Sequence, residues 1–182
     1  MKYLFGAFAL ACALISGPVL ARGEPDNTGD TQNTDASQNF LASQVEATLV
    51  GHGITGIHAE AWKGTVQLAG FVRTTAQRRT AADLAGTVKG VSQVINQVVL
   101  QGGERDVRQV VDDGIMENEV TSTLSDNDGT DAFDINVDVR RGVVLLSGFV
   151  KSEAERQAAL RTAEGIDGVT NVIDAMNVVK VS

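Results

Sequence analysis

The chain contains one unit twice. Residues 64–100 align with residues 142–178 without a gap at a constant offset of 78, and about 14 of the 37 pairs are identical. The matched pairs include Gly64/Gly142, Val66/Val144, Leu68/Leu146, Gly70/Gly148, Phe71/Phe149, Arg78/Arg156 and Gly90/Gly168. A duplication with a repeat of about 60 residues restricts the chain to two similar supersecondary units in tandem. The shared residues are mainly glycines and small apolar types, which set turns and a core. No nucleophile, acid–base pair or metal cluster recurs, so the pattern points to a binding module and not to an enzyme.

Periodicity assigns the elements. Leu41, Val45 and Leu49 recur at helical spacing, as do Met116, Val120 and Leu124 behind Asp112 or Asp113 as N-cap. Alternation at Ile57, Ala59 and Ala61, then Lys63-Gly64, then Val66 and Leu68 reads as a β-hairpin. The second copy repeats it through Phe133, Ile135, Val137 and Val139, Arg141-Gly142, Val144 and Leu146. Gly70 and Gly148 mark a bulge or a close backbone approach. Helices follow in which Ala76, Ala81, Ala85 and Val88 match Ala154, Ala159, Ala163 and Ile166, each ended by Gly90 or Gly168 as the C′ residue. Val91–Leu100 and Val169–Val181 are the closing strands.

The expected fold is α+β: two tandem α-β-β-α-β domains, residues 40–101 and 112–182, joined by a linker over 102–111. Each is a three-stranded mixed sheet with two helices. Units this small are marginal alone, which favours packing between them.

The N-terminus has the layout of a secretory signal peptide over residues 1–21. Lys2 precedes an apolar stretch, Tyr3–Ile15, followed by Pro18 and the small-residue site Val19-Leu20-Ala21. A cut there starts the mature chain at Arg22 and places it in the periplasm. Ala9-Leu10-Ala11-Cys12 faintly resembles a lipobox, but the chain stays apolar as far as Leu20, which weighs against lipid anchoring at Cys12. Residues 22–39 are polar and read as a flexible leader.

Each copy carries G-x-V-x-L-x-G-x-V, an Ala-rich helix, and then G-V-x-x-V-I, at Gly64–Val72 and Gly90–Ile95 and again at Gly142–Val150 and Gly168–Ile173. This resembles the BON domain, over about residues 40–100 and 112–180. The resemblance implies the α-β-β-α-β fold, an envelope location and a part in osmotic-stress tolerance or envelope integrity. It also implies contact with phospholipid surfaces or envelope proteins, without catalysis.

Charge is unevenly divided. The chain has a net charge of −8, yet residues 40–101 hold five basic against three acidic side chains, while residues 104–182 hold eight against sixteen. Arg73, Arg78, Arg79 and Lys89 cluster on and beside the second helix, next to Phe71. These five residues form the candidate face for an anionic phospholipid surface or an envelope protein. Phe71 and Phe149 are equally candidates for packing between the repeats. A chaperone-like holdase for exported or outer-membrane polypeptides is the alternative, and it requires accessible apolar surface near those two phenylalanines.

Other patterns carry less. Asp126–Asp131 is acidic, but Leu124 and Ile135 fall where a calcium loop needs Asp and Glu. His52 and His58 lack further zinc ligands and read as surface-loop residues. Phosphate-loop and common hydrolase motifs are missing, and an acidic chain with few aromatics does not suit nucleic acid. No cofactor and no small-molecule substrate is expected.

Overall fold

The structure is a computed structural model that describes residues 28–127, 129–130 and 135–179. The signal-peptide reading, Cys12, the first part of the leader and Phe133 lie outside them. Helix α1 (Thr28–Gly51) precedes β1 (Ile57–Trp62), β2 (Thr65–Val72), α2 (Thr75–Thr87), β3 (Gln93–Asn96) and β4 (Val99–Leu100). The second unit is α3 (Val107–Ser125), β5 (Ile135–Arg140), β6 (Val143–Val150), α4 (Glu153–Glu164) and β7 (Asn171–Val178).

In both units the central strand pairs antiparallel with the strand before it and parallel with the strand after its helix. The hairpins turn on Lys63-Gly64 (φ 49° and 80°) and Arg141-Gly142 (φ 55° and 73°). Two consecutive positive φ values make the type I′ turn whose twist matches the strands it joins.

One face of each sheet carries its helices. Val66, Leu68 and Val72 of β2 pack with Val45 and Leu49 of α1 and with Ala81 and Ala85 of α2. Val144, Leu146 and Val150 of β6 meet Val120, Leu124, Ala159 and Ala163 in the same way. Alanine at the helix positions lets backbone approach sheet closely. Ala76 and Ala154 are exposed and do not join that stripe.

The other faces pack on each other. Ala69, Phe71, Leu145 and Ala175 form a third buried cluster, with Val99, Val143 and Ile173 against it. The architecture is therefore helix, sheet, sheet, helix. Within the seam Gln67, 1 % exposed, accepts from the Gly148 amide at 3.1 Å and donates to the Ala175 carbonyl and to Gln97 Oε1. A polar side chain is tolerated there because its hydrogen-bonding capacity is used across the seam.

Several boundaries differ from expectation. Helix α1 begins at Thr28, so residues 28–39 are helical where a flexible leader was expected. Elongation needs only one hydrogen bond per residue once the packed turns exist, and Gln38 is itself buried, accepting from the Lys63 amide at 2.7 Å. Helix α3 begins at Val107, inside the expected linker, because Asp106 and Gln109 form a capping box. Asp106, not Asp112 or Asp113, is the N-cap. Asp113 is instead buried, accepting from the Gly142 amide at 3.2 Å, the counterpart of Gln38 in the first unit. The closing strands start at Gln93 and Asn171, and the first is interrupted at Gln97-Val98.

Gly90 and Gly168 are not helix C′ residues, since α2 is capped by Val88 and α4 by Gly165. They occupy the third position of turns closed by Val91 N to Val88 O and Val169 N to Ile166 O, at φ 103° and 88°. Such a turn favours glycine there.

Candidate functional site

The α2 arginines are held by local capping. The Gln77 amide donates to Thr74 Oγ1 at 3.1 Å, and Gln77 Oε1 accepts from the amides of Thr74 and Arg73. This fixes the first turn, on which Arg78 and Arg79 are exposed. Comparison between the repeats shows how these cations differ from their counterparts. Arg156, matching Arg78, donates to Asp174 at 2.7 Å and lies 3.1 Å from Glu153. Hydrogen bonds to Asp174 and Glu153 raise its pKa. In the first unit those two positions are Asn96 and Thr75, and Asn96 donates to the Arg78 carbonyl instead. None of the ion pairs among the described residues involves Arg78, Arg79 or Lys89.

The five expected site residues do not form one patch. Lys89 lies beyond the far end of α2, past its C-cap Val88, whereas Arg78 and Arg79 are near its start. Arg73 faces the inter-domain connection, 3.9 Å from Glu104. Phe71 is 7 % exposed in the seam, so it takes the inter-repeat packing role and is withdrawn from the surface. Phe149 is half-buried.

Among the described residues, four exposed aliphatic side chains gather on one helix instead. Val107, Val110, Val111 and Ile115 of α3 are 82, 48, 53 and 61 % exposed. At 100° per residue they fall within a sector of about 140°, away from the face that buries Val120 and Leu124. Arg108, 90 % exposed, borders this stripe, and Arg105 precedes it. The spacing V-x-x-V-V-x-x-x-I was legible as an amphipathic signal, but it straddled the boundary between the expected linker and second domain. No helix among the described residues is long and apolar enough to cross a membrane.

His58 is a strand residue and not a loop residue. It projects from β1 at the seam, with Nε2 3.4 Å from Asp138 Oδ1 and Nδ1 3.8 Å from Glu46 Oε1. The hydrogen bond to Asp138, opposed by burial and reinforced by the charges of Asp138, Glu46 and Glu117, raises its pKa to about 9. A raised folded-state pKa gives stability that is complete below the unfolded value of about 6.5 and is lost as pH rises through about 9. Because the side chain is half-exposed, screening reduces its contribution to about 1 kcal/mol. Urea unfolding of His58→Ala should show that deficit at pH 6 and almost none at pH 10. An equal deficit at both would contradict the imidazolium's role.

In the acidic connection after α3, Asn127 Oδ1 accepts from the Gly129 amide and Asn127 Nδ2 donates to Thr162. Asp128 and Asp131, which the calcium reading also needs, lie outside the described residues.

The family model described as "BON domain" matches residues 37–102 and 112–180. Osmotically-inducible protein Y of Escherichia coli is 29 % identical over 181 residues, covering 91 % of this chain and 90 % of that protein. Outer membrane lipoprotein DolP of Haemophilus influenzae is 30 % identical over 183 residues, covering 95 % and 92 %. A 21 kDa hemolysin of Actinobacillus pleuropneumoniae is 30 % identical over 125 residues, covering 68 % and 63 %. These relatives fit an envelope- or stress-related protein.

Proposed function

The chain belongs to the BON-domain family, and from that membership we propose a non-enzymatic periplasmic protein of envelope stress that makes reversible contact with anionic phospholipid surfaces. The observation that carries this reading is the α3 stripe, four exposed aliphatic side chains on one helix face with Arg108 at its border. Partial burial of four such side chains stabilises contact by a few kcal/mol at about 25 cal/mol per Å². Each arginine near an anionic surface adds about 1 kcal/mol, and Arg78 and Arg79 supply charge that no ion pair among the described residues neutralises. The stripe lies on the acidic second domain, whose net negative charge opposes approach and keeps the contact weak. The sum is weak, oriented and salt-sensitive binding, suited to a peripheral protein.

Flotation of Arg22–Ser182 with vesicles tests this. The chain should float with phosphatidylglycerol vesicles at low salt and not with phosphatidylcholine. Val111→Asp with Ile115→Asp should reduce binding at least about tenfold, since both side chains are exposed and dispensable to the core. Arg78→Glu with Arg79→Glu should reduce it several-fold. Unchanged flotation of both variants would refute the proposal.

The same stripe supplies the accessible apolar surface that a holdase needs, which Phe71 does not. Suppression of aggregation of a model substrate in about 0.5 M salt, where surface charge is screened, favours that second reading.

A further inference from the structure

We propose that the junction between the two domains holds a binding pocket for a phosphate group. A cavity of about 420 Å³ opens there between Arg73, Arg105 and Arg140, with Thr55, Gly56 and Val110 among the other residues of its wall. The three guanidinium groups come from the end of the first hairpin, the inter-domain connection and β5, so only the assembled pair of domains brings them together.

Arg140 gives the pocket its chemistry. It is 9 % exposed, and its Nε is buried without a hydrogen-bond partner. One terminal nitrogen donates to the Gly103 carbonyl at 3.2 Å. Buried donors of this kind are normally paired, and a lone one calls for an acceptor. Burial, then the charges of Arg105, Arg73 and Arg141, lower its pKa from the ordinary value, so negative charge among these groups would be favourable. The protein supplies some of it: Asp113 accepts from Arg105 at 2.8 Å, and Glu104 lies 3.9 Å from Arg73. Arg141 is committed to the carbonyls of Gly102 and Glu104. Two carboxylates among four arginines leave an excess of positive charge.

Planar guanidinium groups on several sides of one volume suit a tetrahedral oxyanion with acceptors in every direction, and arginine binds phosphate bidentately. The cavity exceeds what one phosphate fills, which leaves room for an attached glycerol-like group beside Val110. The shared chemistry is therefore a phosphate group, either free or as a headgroup phosphate.

Calorimetric titration of Arg22–Ser182 with inorganic phosphate and separately with glycerol phosphate tests the site without any membrane, so it fails or succeeds independently of vesicle binding. One saturable site is expected, with Kd below about 1 mM for at least one ligand. Arg73→Gln should weaken it at least about fivefold. Arg140→Gln should abolish it, and Arg73→Gln, at an exposed side chain, keeps the test decisive should the buried variant fail to fold. Tighter binding of glycerol phosphate assigns the pocket to a headgroup, and equal or weaker binding assigns it to the free ion. No saturable binding of either ligand, or affinity unchanged in Arg73→Gln, would overturn the proposal.

Discussion

Gly70→Ala should destabilise the chain by at least about 3 kcal/mol, one of the largest effects available to a single methyl group here. Gly70 has φ +128°, and a Cβ added to it would lie 2.2 Å from the Gly56 carbonyl oxygen and 3.0 Å from Ile57 Cα. Both are backbone atoms that cannot rotate aside. The same Gly56 oxygen accepts from the Phe71 amide at 3.1 Å, closing the chain between α1 and β1 against the end of β2. Alanine must break that closure or force β2 out of register. Gly148 repeats the backbone angle at φ 128°, so the device is built into the unit. Gly86→Ala is the control: nothing lies within 4 Å of its Cβ position, and the helical site should gain about 0.5–1 kcal/mol. Urea unfolding of both variants measures the contrast, and equal stabilities would contradict this account of Gly70.

Phe71→Ala should cost about 3–4 kcal/mol, the range for truncating a buried aromatic residue. Its ring fills the seam with Ala69, Leu145 and Ala175, residues too small or too few to collapse into the space left. The loss has a second consequence. The two sheets hold each other through this cluster and through Gln67, so weakening it should separate one cooperative unfolding transition into two. Calorimetry of the variant is expected to show that broadening. A loss below about 1 kcal/mol with a single sharp transition would mean that the domains do not depend on each other through this face.

The order of elements within each repeat was legible because periodicity and turn chemistry are local. Lys63-Gly64 and Arg141-Gly142 set the hairpins by their backbone angles, and Leu41, Val45 and Leu49 faced the core as their spacing required. The seam was harder to read because its partners are about eighty positions apart and no local period links them. A signal was present, however. Residues 143–146 are Val-Val-Leu-Leu with no polar alternation, the composition of a strand covered on both faces. Leu145 belongs to the off-face set and is fully buried against the first domain.

The candidate surface was legible only in part. Arg78 and Arg79 were found as charges, but that Arg78 has no ion pair among the described residues emerged only from Asn96 and Thr75 standing where the second copy has Asp174 and Glu153 beside Arg156. The α3 stripe was divided by a boundary drawn at residue 111, although the capping box at Asp106 and Gln109 marked the true helix start. Arg140 and Arg105 were missed for a different reason: a cation at the end of a strand and one in a connection have no common sequence signature.

The most direct test places a polarity-sensitive fluorophore on the proposed contact face. Cys12 is the only cysteine, so Arg22–Ser182 carrying Ile115→Cys can be labelled at one position, with Gln157→Cys on α4 as the comparison. On phosphatidylglycerol vesicles at low salt the label at 115 should shift to the blue, as for a probe entering the headgroup and acyl boundary. The label at 157 should not shift, and added salt should reverse the change at 115. An unshifted label at 115 on vesicles that carry the protein, or equal shifts at both positions, would contradict docking through α3.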